Sequence, residues 1–232
     1  MQIQIQAERR GFLKRTAFYG LLVLSAAGLG FAQSSNTPQT NEPLRRELLK
    51  MEEEDQRYRK EAQEIDNATF APEEKKKRRE ALMEKQAETD GRNMKRLTEI
   101  IEQYGWPGKS LVGKDGSLTA FLIVQHGDLE DQKKYFPLLK EAVGKGEADP
   151  AHAAYLEDRI LMREGKKQIY GTQLRRNEAT QKLELWPVED EEHLDARRAT
   201  LGLEPIAEYL KRFGLEYKAR PHPDEFQLHY DI

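Results

Sequence analysis

The sequence predicts a mainly α protein: a helical domain with a small β-hairpin, preceded by an N-terminal antiparallel helical arm. Three observations lead there. Apolar residues recur every three or four positions through two long charged stretches, Pro43 to Ile65 and Pro72 to Tyr104. Turn-forming residues then punctuate shorter segments of the same period. Only between Gln168 and Val188 does the period shorten toward that of a strand.

The first 32 residues read as an export signal. Arg9 and Arg10 lead into Gly11, Phe12, Leu13 and Lys14, and this run resembles the twin-arginine signal pattern. An uncharged, moderately apolar stretch from Thr16 to Ala32 follows, ending in the small residues Gly30 and Ala32, so cleavage is expected after Ala32. Glu8 stands where that pattern has Ser or Thr, which leaves the general secretory route open. Either route delivers the protein to the periplasm or the extracellular space, with membrane contact only through the signal before cleavage. An uncleaved anchor is the competing reading, since a stretch of this length sits at the lower edge of what spans a bilayer.

Residues 33–42, rich in Ser, Asn, Thr and Gln, form a flexible linker. The arm occupies 43–104. Leu44, Leu48, Met51, Asp55, Tyr58, Ala62 and Ile65 mark the inner stripe of its first helix, which Pro43 can open. Asn67 to Ala71 interrupts the pattern. Pro72, Glu73 and Glu74 then start a second helix whose acidic first turn suits the helix dipole. Its inner face carries Leu82, Gln86, Asn93, Leu97, Ile100, Ile101 and Tyr104, and Gly91 is its weak point.

The helical domain spans 105–232 and should hold the main core. Gly113 to Gly116 reads as a turn, Ser117 as an N-cap, and Leu118 to Val124 as the most apolar, buried helix. Asp128 caps a helix through Val143 that Pro137 should break locally, and Pro150 opens another ending near Gly165. Gln168 to Leu174 and Leu183 to Val188 make a hairpin near 168–188. Helices from Glu189 to Leu201 and Pro205 to Phe213 complete it, and the tail with Pro221 and Pro223 is expected to be extended.

Charge and composition exclude several function classes. The chain carries net −3, and the signal contributes four basic residues against Glu8, leaving −6 for the remainder. A nucleic-acid partner is excluded on this ground, because Lys and Arg are interleaved with Glu and Asp instead of forming a cationic face. The run Lys75 to Arg79 is flanked by Glu73, Glu74 and Glu80 and reads as a solvated helix face. The absence of cysteine removes disulfides, thiolate metal sites and a cysteine nucleophile together. His126, His152, His193, His222 and His229 show no ligand spacing, so neither metal nor cofactor is expected.

Candidate chemistry concentrates on His126, which ends the most apolar segment, where burial and a carboxylate can tune its proton affinity. A polar pocket would use His126 as acid or base, Asp158 as its orienter and Arg159 as an anion holder, with Gln125, Asp128 and Gln132 near it. The reading favoured over it is a structural network in which His126 is hydrogen-bonded and Asp128 is a helix cap, because no nucleophile, paired carboxylate motif or metal spacing accompanies the histidine. If Gln168 to Gln173 is a strand, Gln168, Tyr170 and Thr172 share one face and Ile169, Gly171 and Gln173 the other, offering either a surface for sugar or peptide or a core place for Tyr170 with its hydroxyl satisfied. Asp55 and Arg59 form an i,i+4 pair on the arm, either a plain ion pair or part of the polar cluster.

These residues also carry a resemblance. Asp55-Gln56 with Arg59, Gly105-Trp106-Pro107, Gln125-His126 with Asp128 and Gln132, and Asp158-Arg159 are its first parts. Gly165 with the run Gln168 to Gln173, and Arg197-Arg198 before Gly202-Leu203, complete it. In them the chain resembles a bacterial family, domain of unknown function 6624. The resemblance implies no activity. The expected function is binding of an envelope protein, peptide or glycan, with a hydrolase or lyase using His126 and Asp158 as the alternative.

Overall fold

The computed structural model describes residues 40–177 and 179–217. The signal, most of the linker and the Pro221–Pro223 tail lie outside these residues. Seven helices and one two-stranded antiparallel sheet make up the described fold, in agreement with the mainly α expectation.

Helices α1 (Glu42–Asn67) and α2 (Pro72–Tyr104) form the antiparallel arm. The linker ends earlier than expected: Asn41 caps α1, its side chain accepting from the Leu44 amide at 3.1 Å, while its own amide donates to Leu111 O. Pro43 sits in the first turn, where its missing N–H costs nothing.

The arm is two things at once. Its inner half is core: Leu48, Leu97 and Ile100 are fully buried and pack in one cluster with Val112, Phe121 and Val124. The outer half projects, and between residues 60 and 86 only Leu82 is buried. Ion pairs such as Arg79–Asp66 and Arg78–Glu74 lace that surface. Tyr104 falls off the expected inner face and is 44% exposed. The main core is thus shared between arm and domain instead of lying downstream of the arm, because the stripe of α1 packs on the central helix as closely as on α2.

That central helix is α3 (Lys109–His126), which kinks at Gly113, where φ is 73°. The chain resumes the helix at once, so Ser117 lies inside it, and its hydroxyl donates to Glu147 O instead of capping. From Ala120 to Gln125 every residue is buried, the signature of a helix enclosed on all sides. Helix α4 (Leu129–Gly144) is capped by Asp128, whose carboxylate accepts from the Asp131 amide at 2.8 Å. Pro137 does not interrupt it. Helix α5 (Pro150–Arg163) packs antiparallel to α4 across a short turn.

The hairpin is shorter than the sequence suggests. Only β1 (Leu174–Arg176) and β2 (Leu183–Leu185) pair, with Leu174 opposite Leu185. Gln168 to Gln173 forms a folded loop: Gln168 makes an isolated parallel bridge with Val188, and Gln173 O accepts from Trp186 N just beyond the paired strands. The short helices α6 (Leu194–Thr200) and α7 (Ile206–Lys211) close the domain, each shorter than expected. No helix among the described residues is long and apolar enough to cross a membrane.

Candidate functional site

The singled-out residues assemble into two separate buried networks, one on each side of α5. The first forms where the arm meets α3. His126 occupies the last turn of α3, and its side chain is 1% exposed. Its Nδ1 lies 2.9 Å from Asp55 Oδ1, which reaches it from α1. The partner expected for His126 was Asp158; the fold supplies Asp55 instead, because the α1 stripe docks on α3 and carries the Asp55 carboxylate to the histidine ring.

Asp55 is heavily engaged. Oδ1 also accepts from Arg59 Nε at 3.1 Å and Nη2 at 2.9 Å, and Oδ2 accepts from Gln56 Nε2 at 2.7 Å. Arg59 Nη2 donates further to Asp90 Oδ1 at 2.8 Å, so one guanidinium joins the two arm helices. The Gln86 amide, turned with its oxygen inward, accepts from the same guanidinium. Asp90 escaped sequence analysis, and Gln86 was placed on the inner face of α2 without a role, since the residue that meets Arg59 is set by the register of the two helices.

Charge in this network follows from burial. Desolvation pushes His126 down to about 4, the positive charges of Arg59 and Arg159 add to that, and Asp55 opposes it. Burial alone would raise Asp55, yet His126 and Arg59 outweigh it and hold the carboxyl well below the usual range. Asp90 is raised to about 6 by desolvation and by the neighbouring Asp55, against the pull of Arg59. A neutral His126 with Nδ1–H donated to Asp55 leaves the Nε2 lone pair as an acceptor.

That lone pair has no hydrogen-bond partner among the described residues, although it is buried. Neither do the two polar atoms of the Gln125 side chain, nor Gln132 Oε1. Gln132 holds its place by donating Nε2 to Gln125 O at 2.8 Å. Arg159, 4% exposed, is near enough to disfavour charge on His126. The expected neighbours Gln125, Gln132 and Arg159 are therefore buried at this end of α3, whereas Asp128 is exposed and serves as a helix cap.

Asp55, Asp90 and His126 each bring one potential ligand atom within 4.8 Å of the others, close enough to share a cation. Sequence spacing could not show this set, which joins three helices. Arg59 already bonds to both carboxylates and supplies the positive charge a cation would bring.

The second network is built on Asp158. Its carboxylate accepts from the amides of Ile169 at 2.7 Å, Tyr170 at 3.0 Å and Thr172 at 2.9 Å, and from the Thr172 hydroxyl at 2.9 Å. A carboxylate with this many donors is the folding centre of a loop and has no capacity left to orient His126. Gly171, at φ 68°, makes the turn possible, and a Cβ there would press on Ile206 at 3.0 Å.

The amides of Gln168 and Gln173 are also spent inside the loop. Gln168 Oε1 accepts from the Gln173 amide at 2.8 Å, and its Nε2 donates to Trp186 O and Gln173 O. Gln173 Nε2 donates to Tyr155 O and to the Thr172 hydroxyl. The expected alternating face of Gln168, Tyr170 and Thr172 does not exist, because the segment wraps around Asp158 instead of extending. Arg198, 1% exposed, donates to Tyr170 O and Glu204 O and stacks over the Tyr209 ring, fastening the loop to α6 and α7. Its buried role was not visible in the sequence, where Arg197-Arg198 stood out only as part of the family resemblance.

No curated protein and no solved structure is similar to this chain at a meaningful level. The match of residues 42–220 to a family of unknown function, DUF6624, spans the arm, both networks and the hairpin, and the protein belongs to that family.

Proposed function

We propose that the protein is an exported binding protein of the bacterial envelope that holds a polar group of a peptide or glycan at the arm–α3 joint. The arginine pair and the apolar run behind it support export. One observation carries the binding site: His126 Nε2, the Gln125 amide and Gln132 Oε1 are buried without partners beside the Asp55–Arg59 pair. Native interiors satisfy such groups, so a polar ligand completes them. Entry requires the arm to shift, since it covers the histidine.

The test is thermal stabilisation by short peptides and cell-wall glycan fragments. Wild-type protein should be stabilised by one of these classes, and His126→Gln and Gln125→Leu should each abolish the shift. Absence of stabilisation by either class sinks the reading, and buried water is then what completes the site.

A second reading has its own observation. The Asp55–His126 hydrogen bond fixes a neutral imidazole with a free lone pair at Nε2, the arrangement of a general base. A hydrolase or lyase of this design uses Asp55, not Asp158, to orient the base. Turnover of a stabilising fragment, lost in His126→Gln, favours catalysis over binding alone.

A further inference from the structure

The β1–β2 ladder leaves one edge open. Trp186 N donates to Gln173 O at 3.0 Å and Asn177 N to Lys182 O at 2.8 Å. In an antiparallel pair bonded and non-bonded positions alternate, so Arg175 and Glu184 form the bonded pair between those two. The N–H and C=O groups of Leu183 and Leu185 therefore point away from β1, and no partner for them exists among the described residues. Main-chain groups placed this way can bond to an added strand.

Beside this edge runs a groove of about 220 Å³, with Leu183 to Trp186 as one wall. Side chains of a strand alternate between its faces, so a wall of four consecutive residues is an edge. The lining is as acidic as it is greasy. Glu184, Glu191 and Glu216 stand among leucines and the rings of Trp186 and Tyr217, and among the described residues no Lys, Arg or His joins them. The cation nearest to hand is Arg175, which pairs with Glu184 across the strands. One guanidinium against three carboxylates leaves the groove negative.

Carboxylates beside aliphatic and aromatic surface match a side chain with an apolar stem and a cationic head, which among amino acids means Arg or Lys. The hairpin makes this match once already. Arg175 Nε donates to Glu184 Oε1 at 2.6 Å while its guanidinium stands 4.9 Å from the centre of the Trp186 ring. An acidic segment would meet like charge in the groove, and an apolar one would strip water from the carboxylates without replacing it.

We propose that the outer edge of β2 and its groove bind an extended basic peptide of another protein, adding it as a strand with Arg or Lys side chains against Glu191 and Glu216. Main-chain bonds to Leu183 and Leu185 supply the attachment, and the carboxylates select the charge and fix the register. The inference does not rest on the His126 site.

The probe is a capped heptapeptide alternating arginine with valine, and the control alternates glutamate with valine; NMR of the full chain reads both. The arginine peptide should bind, weaken as salt rises, and slow exchange of the Leu183 and Leu185 amides. Glu216→Lys should weaken binding by about tenfold or more. Glu53→Lys, the same charge change at an exposed position on the arm, should not. No binding, equal binding of the glutamate peptide, or a complex that leaves the two leucine amides unprotected overturns the proposal. Protection already present without peptide overturns it too: if it fades on dilution the edge belongs to a second copy, and if it persists the chain covers its own edge.

Discussion

At His126 a single hydrogen bond decides the chemistry of the ring. Because Asp55 accepts at Nδ1, the lone pair resides on Nε2, and because burial opposes charge, the ring stays neutral down to about pH 4. Nitrogen-detected NMR should show the Nδ1–H tautomer and a titration near pH 4; a midpoint near 6.5 would mean that water reaches the ring and that the joint is open. Asp55→Asn removes the charge that balances Arg59 within the interior. Breaking a buried pair by one partner costs about 3–5 kcal/mol, and chemical denaturation should register a loss of that size. Asp158→Asn is a different experiment in the second network: the amide nitrogen faces donors, and the loop from Ile169 to Thr172 loses part of its anchor. A cost of about 3 kcal/mol is expected there. The His126 tautomer should be unchanged by it, which separates the two networks.

Among the elements, the arm helices were legible because each repeats apolar residues at helical spacing and starts at a proline with acidic neighbours. What remained illegible is tertiary. Nothing along α2 indicates that Asp90 meets Arg59, since that contact depends on the register of two helices joined by a loop. The run from Gln168 to Gln173 reads as a strand by alternation, yet its shape is dictated by Asp158, which lies on another element and offers more acceptors than a ladder would. His126 was expected at the edge of the core with Asp158 to orient it; the structure buries its side chain against Asp55, which the sequence offered as a member of the polar cluster but not as the histidine's partner. The arm itself should be mechanically uneven. Its inner half is held by Leu48, Leu97 and Ile100, whereas its outer half rests on Leu82 and surface ion pairs that contribute little. Amide exchange should be fast from about residue 60 to 86 and slow in the flanking halves of the same two helices. Uniform protection along both would show that the outer half is covered by a partner or a second copy.

For the whole molecule, the first network sets a pH response in which two groups oppose each other. His126 has a folded value near 4, below its unfolded 6.5, so between these values the unfolded state binds the extra proton and stability falls as pH falls. Asp90 has a folded value near 6, above its unfolded 3.8, so over nearly the same window the folded state binds the extra proton and stability falls as pH rises. The two slopes are each about 1.4 kcal/mol per pH unit at full effect, and of opposite sign. Through pH 4–6 these two contributions offset each other, so the first network adds little net pH dependence there. Asp90→Asn removes one slope and unmasks the other. Urea denaturation of that variant at stepped pH should show stability falling more steeply between pH 6.5 and 4 than in the wild type, since His152, which burial also holds near 4, contributes the same slope to both. His126→Gln should tilt the same window the other way relative to the wild type, with less stability lost as pH falls. If the two variants keep the wild-type profile, His126 and Asp90 do not titrate inside the fold as their burial requires, and the arm joint is wet.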